Sequence, residues 1–352
     1  DERGEGMVEK SIFINDNELR NWINNVYDLG IDKVEKTELG SANCYYLYSN
    51  SNERYFLKEF QEKITYENLE EEIKICKYLN ENGITTSSFI CNREGKYISS
   101  FRDRYIHVQK HIIGNSYNMF EMPNDLMIKS ARYLGRINKV LSGYKIDRYH
   151  FGDKWLKEWS NEKEIEKLKK LLDERSAEID TDSTIYKQIC EDFEFKINRL
   201  KMMDGYAERF LGTYKCSSHG DYSLLQILCD NNDIVAIIDF ASACTLPPTW
   251  EIIRSYSYAS KECRDNGKID FDNFTKYLDS YLDEYEIPKI DILRMPSLYY
   301  FNLIRSSFGY KQYLKNKSDK NLDFAFWRTK MCRWLYHNMD EFEAYLDEYY
   351  KN

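Results

Sequence analysis

The stretch Ser218-His219-Gly220-Asp221, together with Ile237-Ile238-Asp239-Phe240 further along the chain, decides how this sequence is interpreted. Between the two lies a predicted β-hairpin, with an apolar run at 227–229, turn-forming residues at 230–233 and apolar residues at 234–238. A carboxylate at the end of a buried strand costs free energy unless it meets a cation or hydrogen-bond donors. Asp239 therefore needs a partner, and a metal ion would serve.

The composition limits the class of protein. The chain has 352 residues and a formal net charge of −9, so its length favours about two domains, and its charge argues against nucleic acid as a partner. Nine cysteines occur without a CxxC pair, which favours reduced thiols over a disulfide or zinc framework. No apolar run approaches the roughly 18 residues of a membrane span. We expect a cytoplasmic protein that binds no membrane and begins at Met7 after an added leader. The oligomeric state is not set by these features.

The pattern of predicted elements changes along the chain. The first third is predicted to contain strands and a single helix, and the rest is mostly helical. The predicted strands are 34–39, 44–48, 55–60, 97–100 and 105–113, and the predicted helices are 66–82, 125–141, 153–173, 183–211 and several from about 250 onward. We predict an α+β fold with two lobes, a small antiparallel β lobe over 7–114 and a larger helical lobe over 115–352 that includes the hairpin 216–240.

Lys58 and Glu72 form a candidate ion pair. Strand alternation places Lys58 on one face with two phenylalanines, where it either reaches out to solvent or points inward to an anion. Of three consecutive glutamates, only Glu72 lies at helical spacing from the apolar residues of its helix. An inward Glu and an inward Lys would satisfy each other. The pair serves either to stabilise the fold or to fix a lysine on nucleotide phosphates.

Two loops carry further candidates. Gly40-Ser41-Ala42-Asn43 joins two strands, so it is not a Walker loop; it is either an ordinary hairpin turn or a loop that covers phosphates with backbone N–H groups. Asp221, Gln226 and Asp239 surround one hairpin and offer the hard oxygen ligands that suit Mg²⁺. Because Asp221 has no basic neighbour in sequence, it could accept a hydroxyl proton; the alternative is a capping or turn aspartate. His219 is expected to hydrogen-bond the loop and hold it.

In order, these segments resemble the aminoglycoside-phosphotransferase-like kinases, a superfamily that includes homoserine, choline and methylthioribose kinases and spore-coat kinase-like proteins. The resemblance implies a protein-kinase-like fold. It rests on residues 39–43, 56–58, 72, 112–114, 218–221 and 238–240.

The resemblance also implies a role for each matching residue. Asp221 would be the catalytic aspartate, Asp239 and Gln226 would bind Mg²⁺, and Lys58, positioned by Glu72, would contact the α- and β-phosphates. The remaining nucleotide contacts would come from Gly40, Ser41 and Asn43 in the loop and from the backbone of Lys110, His111 and Ile112 around the adenine or guanine.

The chain departs from the family pattern in three places. Gln226 stands where the family has Asn, and it keeps the amide oxygen but adds one methylene. Glu251 stands in for the aspartate that usually follows the hairpin. The Gly and Pro that often follow the His-Gly-Asp triplet are absent from residues 222–225.

Three functions follow from this sequence. The leading one is an enzyme, a Mg²⁺-dependent phosphotransferase that moves the γ-phosphate of ATP or GTP to a hydroxyl of a small molecule such as an aminoglycoside-like antibiotic, an amino alcohol or a sugar. The second is a kinase-like binding module with weak or no catalysis, associated with a spore coat. The third is a protein kinase, ranked last because APE and GxGxxG elements are absent. Acidic residues 279, 283 and 284 would suit a cationic acceptor, whereas Arg254, Arg294 and Arg305 would suit a carboxylate.

Overall fold

The computed structural model describes residues 9–37, 42–176 and 183–351. Tertiary contacts divide the chain into two compact units. The β unit is formed by the described residues up to 116 together with 225–243, and the helical unit by 117–224 together with 244–351. The α+β class predicted from the sequence is confirmed, since one unit is built on an antiparallel sheet and the other is mainly helical.

The described residues form ten strands and thirteen α-helices. The strands are β1 (Ile31–Thr37), β2 (Asn43–Ser49), β3 (Arg54–Glu59), β4 (Phe89–Ile90), β5 (Ile98–Phe101), β6 (Arg104–Lys110), β7 (Cys216–Ser218), β8 (Ile227–Asp230), β9 (Asp233–Ile237) and β10 (Cys244–Leu246). The helices before β7 are α1 (Asp16–Tyr27), α2 (Tyr66–Glu81), α3 (Asn124–Leu141), α4 (Asp153–Lys157), α5 (Asn161–Ser176) and α6 (Thr184–Leu200). Those after β10 are α7 (Pro248–Ala259), α8 (Lys261–Asn266), α9 (Phe271–Leu282), α10 (Lys289–Leu293), α11 (Met295–Arg305), α12 (Tyr310–Asn316) and α13 (Asp319–Tyr349). Short 3₁₀ helices lie at Ala207–Phe210, Leu224–Gln226 and Phe240–Ser242.

The sheet of the β unit has the order β1-β2-β3-β6-β4, and β5 also pairs with β6. All of these pairings are antiparallel. The register places Lys58 of β3 opposite Cys44 of β2 on one side and opposite His107 of β6 on the other. Because directly opposed residues share a face of the sheet, these three side chains lie in one row.

Each face of the sheet is covered by its own apolar cluster. One cluster includes α1 through Leu19, Ile23 and Tyr27, and the other includes α2 through Leu69 and Ile73. The sequence predicted one helix in this part of the chain, and α1 is a second. Its buried residues recur every fourth position, and Asn15 caps it by accepting a hydrogen bond from the Glu18 N–H.

Helix α2 places one of its glutamates inside the protein. Thr65 forms a capping box with Asn68 at its first turn. The buried residues of α2 are Leu69, Glu72, Ile73, Ile75, Cys76 and Leu79. The predicted inward position of Glu72 is therefore confirmed.

The hairpin β8–β9 packs with the β unit. The Ile237 N–H donates to the Thr85 carbonyl at 3.0 Å, and Asn115 and Cys229 exchange two backbone hydrogen bonds. The sequence assigned this hairpin to the C-terminal lobe, but these backbone bonds group residues 225–243 with residues before 117.

The helical unit holds the remaining elements. The predicted helix 153–173 is two helices, α4 and α5, because Ser160 interrupts it and caps α5 by accepting from the Lys163 N–H. The predicted helix 183–211 ends as α6 at Leu200, before Gly205, whose φ of 66° lies in the left-handed region. No helix within the described ranges combines the length and apolar character needed to span a bilayer. None of the nine cysteines, all of which lie within the described ranges, forms a disulfide.

Candidate active site

Lys58 and Asp239 meet in the β unit, although they are 181 residues apart in sequence. The Lys58 Nζ lies 3.1 Å from Asp239 Oδ1, and the two side chains are 15% and 40% exposed. The inward alternative for Lys58 is therefore the observed one. The lysine is held largely out of solvent, and the carboxylate faces it from the end of the hairpin.

Lys58 carries a stable positive charge. Burial alone would lower the pKa of Lys58, but the negative charges of Asp239 and Glu72 outweigh burial and raise the pKa above its ordinary value. Glu72, placed on the buried face of α2, contributes to this rise in the Lys58 pKa. That Glu72 positions Lys58 on the phosphates stays a prediction. A cation in this state suits phosphate oxygens.

His107 is a member of this site that the sequence analysis missed. It is fully buried, it lies opposite Lys58 in the sheet, and its Nε2 is 3.9 Å from Glu72 Oε2. Burial and the charge of Lys58 lower the pKa of His107 to about 3, so the imidazole is neutral. The rings of Phe60 and Phe89 contact it edge-on at 4.8 and 4.9 Å. The alternation of β6 places residue 107 on the inner face, and that pattern could have identified it.

Asp239 is set in place by the end of the hairpin. It follows β9 and adopts a left-handed backbone conformation with φ of 68° and ψ of 62°. One residue earlier, the Ile238 N–H donates to the Gln226 carbonyl at 2.9 Å. The two predicted metal ligands are therefore joined through the backbone at the base of one hairpin.

The donor set fits Mg²⁺ in number and type. Gln226 offers an amide oxygen, and Asp239 offers a partly exposed carboxylate. No group of three or more His, Cys, Asp or Glu side chains suited to a metal occurs among the described residues. Mg²⁺ commonly uses only one or two carboxylates and takes its other ligands from phosphates and water, so two protein ligands are sufficient.

The predicted phosphate loop is only partly described. Gly40 and Ser41 lie outside the described residues. The Asn43 side chain is buried and donates to Glu59 Oε1 at 3.1 Å, and Ser11 donates to the same carboxylate at 2.6 Å. In the register of β2 and β3, Asn43 pairs with Glu59, and the next pair is Cys44 with Lys58. Successive pairs lie on opposite faces of the sheet, so the Asn43 side chain contacts Glu59 on the face away from Lys58. The structure does not bring the Asn43 side chain together with Lys58.

The segment after β6 offers one backbone donor for a base. The Lys110 N–H donates to the Ser88 carbonyl at 2.8 Å, and the His111 N–H donates to the Arg54 carbonyl at 3.1 Å. The Ile112 N–H has no acceptor among the described residues. Of the three residues predicted to contact the base, Ile112 is the one whose N–H could donate to it.

The His-Gly-Asp segment lies in the helical unit. It follows β7, which pairs with β10. His219 is fully buried, and its Nδ1 accepts a hydrogen bond from the Asp221 N–H at 3.3 Å. Gly220 has a φ of 81°, a left-handed conformation that glycine adopts at low cost. His219 thus holds the loop, as expected, and Asp221 emerges from it with its side chain 44% exposed.

Asp221 has a basic partner that the sequence did not reveal. Arg254 of α7 donates to Asp221 Oδ1 at 2.5 Å and to the Tyr222 carbonyl at 3.3 Å. Its guanidinium lies over the rings of Tyr258 and Trp250, at 4.6 and 5.4 Å from their centroids. No basic residue lies beside Asp221 in sequence, but the fold brings one to it from a helix 33 residues further along the chain.

Glu251 supports the same loop. It is fully buried and accepts hydrogen bonds from the Ser218 hydroxyl and from the Tyr222 N–H, the latter at 3.1 Å. Ser218 Oγ also accepts a hydrogen bond from Asn138 Nδ2 at 2.6 Å. Through Glu251 and Arg254, α7 contacts the loop on both sides of Asp221.

Residues 34–289 match the sequence profile of the phosphotransferase enzyme family. The chain belongs to this family. The match spans Lys58, Glu72, Asp221 and Asp239. The family membership predicted from the sequence is therefore confirmed. As a member of this family, the chain is a phosphotransferase enzyme.

Solved phosphotransferases and kinases share this fold. An aminoglycoside phosphotransferase from Alicyclobacillus acidocaldarius is 14% identical with a TM-score of 0.61, covering 98% of this chain and 98% of that chain. An amicoumacin kinase in complex with AMP-PNP and Ca²⁺ is 14% identical with a TM-score of 0.59, covering 92% and 93%. A microcompartment-associated aminopropanol kinase is 12% identical with a TM-score of 0.58, covering 93% and 98%. At these identities the likeness shows the fold, which is the predicted kinase-like one. No curated protein has a sequence that matches this phosphotransferase.

Proposed function

We propose that this phosphotransferase moves the γ-phosphoryl group of ATP or GTP to a hydroxyl of a small molecule. The observation that carries the proposal is the ion pair of Lys58 with Asp239, 3.1 Å apart in the β unit. A buried lysine cation beside a partly exposed carboxylate offers one group for phosphates and one for the metal that accompanies them.

The β unit would bind the nucleotide. Lys58 would contact the α- and β-phosphates while Glu72 and the neutral His107 line its inner side, and Ile112 would donate to the base. Asp239 and Gln226 would hold Mg²⁺, which neutralises phosphate charge when bound. The complex of an amicoumacin kinase of the same fold with AMP-PNP and Ca²⁺ supports a nucleotide donor.

The helical unit would activate the acceptor. Asp221 would orient the acceptor hydroxyl and receive its proton as the new oxygen–phosphorus bond forms and the bond to the nucleoside diphosphate breaks. Positioning and charge neutralisation supply most of the rate in such transfers, and proton acceptance adds on the order of 10²–10⁴-fold.

The acidic residues that would suit a cationic acceptor, at positions 279, 283 and 284, already have partners within the protein. Asp283 and Glu284 pair with Arg132 and Arg136 at 2.5 and 3.0 Å, and Asp279 accepts hydrogen bonds from two tyrosines near the C-terminus. These contacts make the three acids part of helix packing. They give no preference for an aminoglycoside over an amino alcohol or a sugar.

The arginines considered for a carboxylate differ from one another. Arg254 is engaged with Asp221, whereas Arg305 at the end of α11 lies over the rings of Phe151 and Trp155 at 5.4 and 4.9 Å. A set of test acceptors should therefore include hydroxyl compounds with and without a carboxylate.

A panel of acceptors tests the proposal. Purified protein is incubated with Mg²⁺ and either ATP or GTP and with aminoglycosides, amino alcohols, sugars and hydroxy acids, and each acceptor is checked by mass spectrometry for the gain of one phosphoryl group. We expect transfer to at least one class, abolished by D221N. Transfer that continues at the wild-type rate in D221N would show that Asp221 is not the catalytic aspartate.

A kinase-like binding module is the second candidate function, and the departures from the family pattern at Gln226 and at residues 222–225 favour it. A thermal-shift titration separates the two. Nucleotide at 100 times its Kd should stabilise a nucleotide-binding protein by about 2.7 kcal/mol. Stabilisation by Mg²⁺·ATP without transfer to any acceptor would support the module.

A further inference from the structure

Arg254 is held more firmly than an ordinary surface arginine. Its side chain is 15% exposed. One of its terminal nitrogens donates to Asp221 Oδ1, and the other donates to the Tyr222 carbonyl. The rings of Tyr258 and Trp250 lie against the guanidinium. A planar guanidinium stacked on aromatic rings is pre-organised, so little rotamer freedom is lost when it binds a carboxylate.

The helix that carries Arg254 is itself fixed to the same loop. Glu251, one turn earlier, accepts from the Tyr222 N–H at 3.1 Å, while Arg254 donates to the Tyr222 carbonyl. The peptide groups on both sides of Tyr222 are thus held by α7. On the other side of this residue, the Tyr222 hydroxyl donates to the Ser130 carbonyl of α3 at 2.7 Å.

We propose that Arg254 is a positioning residue for phosphoryl transfer, which holds the Asp221 carboxylate in the orientation that receives the acceptor proton. The inference rests on the proposed function, in which Asp221 is the catalytic aspartate. By binding Oδ1, Arg254 restricts rotation of a carboxylate that is otherwise 44% exposed. The acceptor O–H bond then breaks toward a carboxylate whose orientation is already set.

A purely structural role is the alternative, and a comparison of kinetic constants separates it from positioning. Loss of positioning lowers kcat and leaves the nucleotide KM unchanged, because Arg254 lies in the helical unit with the aspartate and the nucleotide contacts come from the β unit. A misplaced reacting group commonly costs on the order of 10²-fold in rate. We expect R254Q to lower kcat about 100-fold, and R254K, which keeps the charge but loses the planar fork, to lower it about 10-fold.

Arg333 supplies a matched control. It forms the same kind of contact pair in the helical unit, an ion pair with Asp192 at 3.1 Å and a cation–π contact with Phe195 at 4.1 Å. R333Q removes an arginine–aspartate pair of the same type at a position with no proposed part in the reaction. Its kcat should stay within about twofold of wild type, since Arg333 contacts Glu191, Asp192 and Phe195 of α6 and not the loop that carries Asp221.

The experiment uses the acceptor that gives the highest turnover in the panel described above, with Mg²⁺·ATP as donor. R254Q, R254K, R333Q, D221N and D221N/R254Q are compared for kcat, the nucleotide KM and the temperature of unfolding. R254A is also assayed with added guanidinium ion, with urea as the uncharged control of the same shape. Positioning predicts rescue of R254A by guanidinium and not by urea, and almost no further loss when R254Q is added to D221N.

The outcomes distinguish a positioning role of Arg254 from a purely structural one. A kcat for R254Q within threefold of wild type, or a loss in D221N/R254Q equal to the two single losses combined, overturns the positioning role while leaving the proposed function intact. Guanidinium without effect on a folded R254A also overturns it. A wild-type chain that transfers phosphate to no acceptor contradicts the proposed function, and the inference with it.

Discussion

Lowering the pH should destabilise the β unit through His107. The imidazole is fully buried beside Lys58 and near Glu72, and burial together with the Lys58 charge lowers its pKa to about 3, against an ordinary value of 6.5. The folded state therefore resists protonation, and the unfolded chain takes up the proton below pH 6.5. Stability is retained above the unfolded pKa and declines as the pH falls from about 6.5 toward 3.

The size of the effect follows from the two pKa values. For a single group with folded and unfolded pKa values of about 3 and 6.5, the loss of unfolding free energy between pH 7 and pH 5 is about 2 kcal/mol. Other groups also titrate in this range. They contribute almost equally to wild type and to a variant without His107, so the difference between the two proteins isolates this histidine.

Hydrogen exchange of the β6 amides measures the stability of the β unit by itself. Wild type and H107L are compared at pH 7 and pH 5 after correction for the intrinsic exchange rate. We expect wild type to lose about 2 kcal/mol more than H107L over this interval. Equal losses in both proteins would show that His107 binds its proton as readily in the folded protein as in the unfolded chain.

Three further substitutions test individual contacts. K58M should weaken Mg²⁺·ATP binding roughly ten- to hundredfold, measured by calorimetry, because it removes a charged hydrogen-bond donor from the phosphates; unchanged affinity would remove Lys58 from the site. N43A should lower the free energy of unfolding by about 1–2 kcal/mol through its lost bond to the buried Glu59, with kcat unaltered, and a large fall in kcat would show a phosphate role. E251Q should destabilise the protein by about 1–3 kcal/mol in denaturant unfolding. The Ser218 hydroxyl and the Tyr222 N–H donate to different carboxylate oxygens of Glu251, and a glutamine amide has only one oxygen that can accept.

Local patterns were sufficient to predict the elements that bear most of the site. Strand alternation placed Lys58 on one face with two phenylalanines and left open whether it points inward. Helical spacing singled out Glu72 from three consecutive glutamates, and turn-forming residues located the hairpin that ends at Asp239. Each of these follows from residues near one another in the chain. The family resemblance suggested a shared role for these residues, and the profile match over residues 34–289 confirms the family.

The contacts that the sequence did not reveal join residues far apart in the chain. Arg254 reaches Asp221 from 33 residues away, and no periodic pattern specifies which carboxylate an arginine on a helix will meet. His107 depends on the register of β3 and β6, which places it opposite Lys58. Asn43 was assigned to phosphates from its loop, but its register partner Glu59 accepts its side-chain hydrogen bond instead.

Asp221 and Asp239 are proposed to have separate roles, one toward the acceptor and one toward the metal, and a comparison of D221N with D239N separates these roles. Turnover with the best acceptor and Mg²⁺-dependent ATP affinity are measured for both variants. We expect D221N to lose at least about 100-fold in kcat while it binds Mg²⁺·ATP like wild type. We expect D239N to lose the Mg²⁺ dependence of ATP binding. D221N with full turnover, or D239N with unchanged Mg²⁺-dependent affinity, would contradict it.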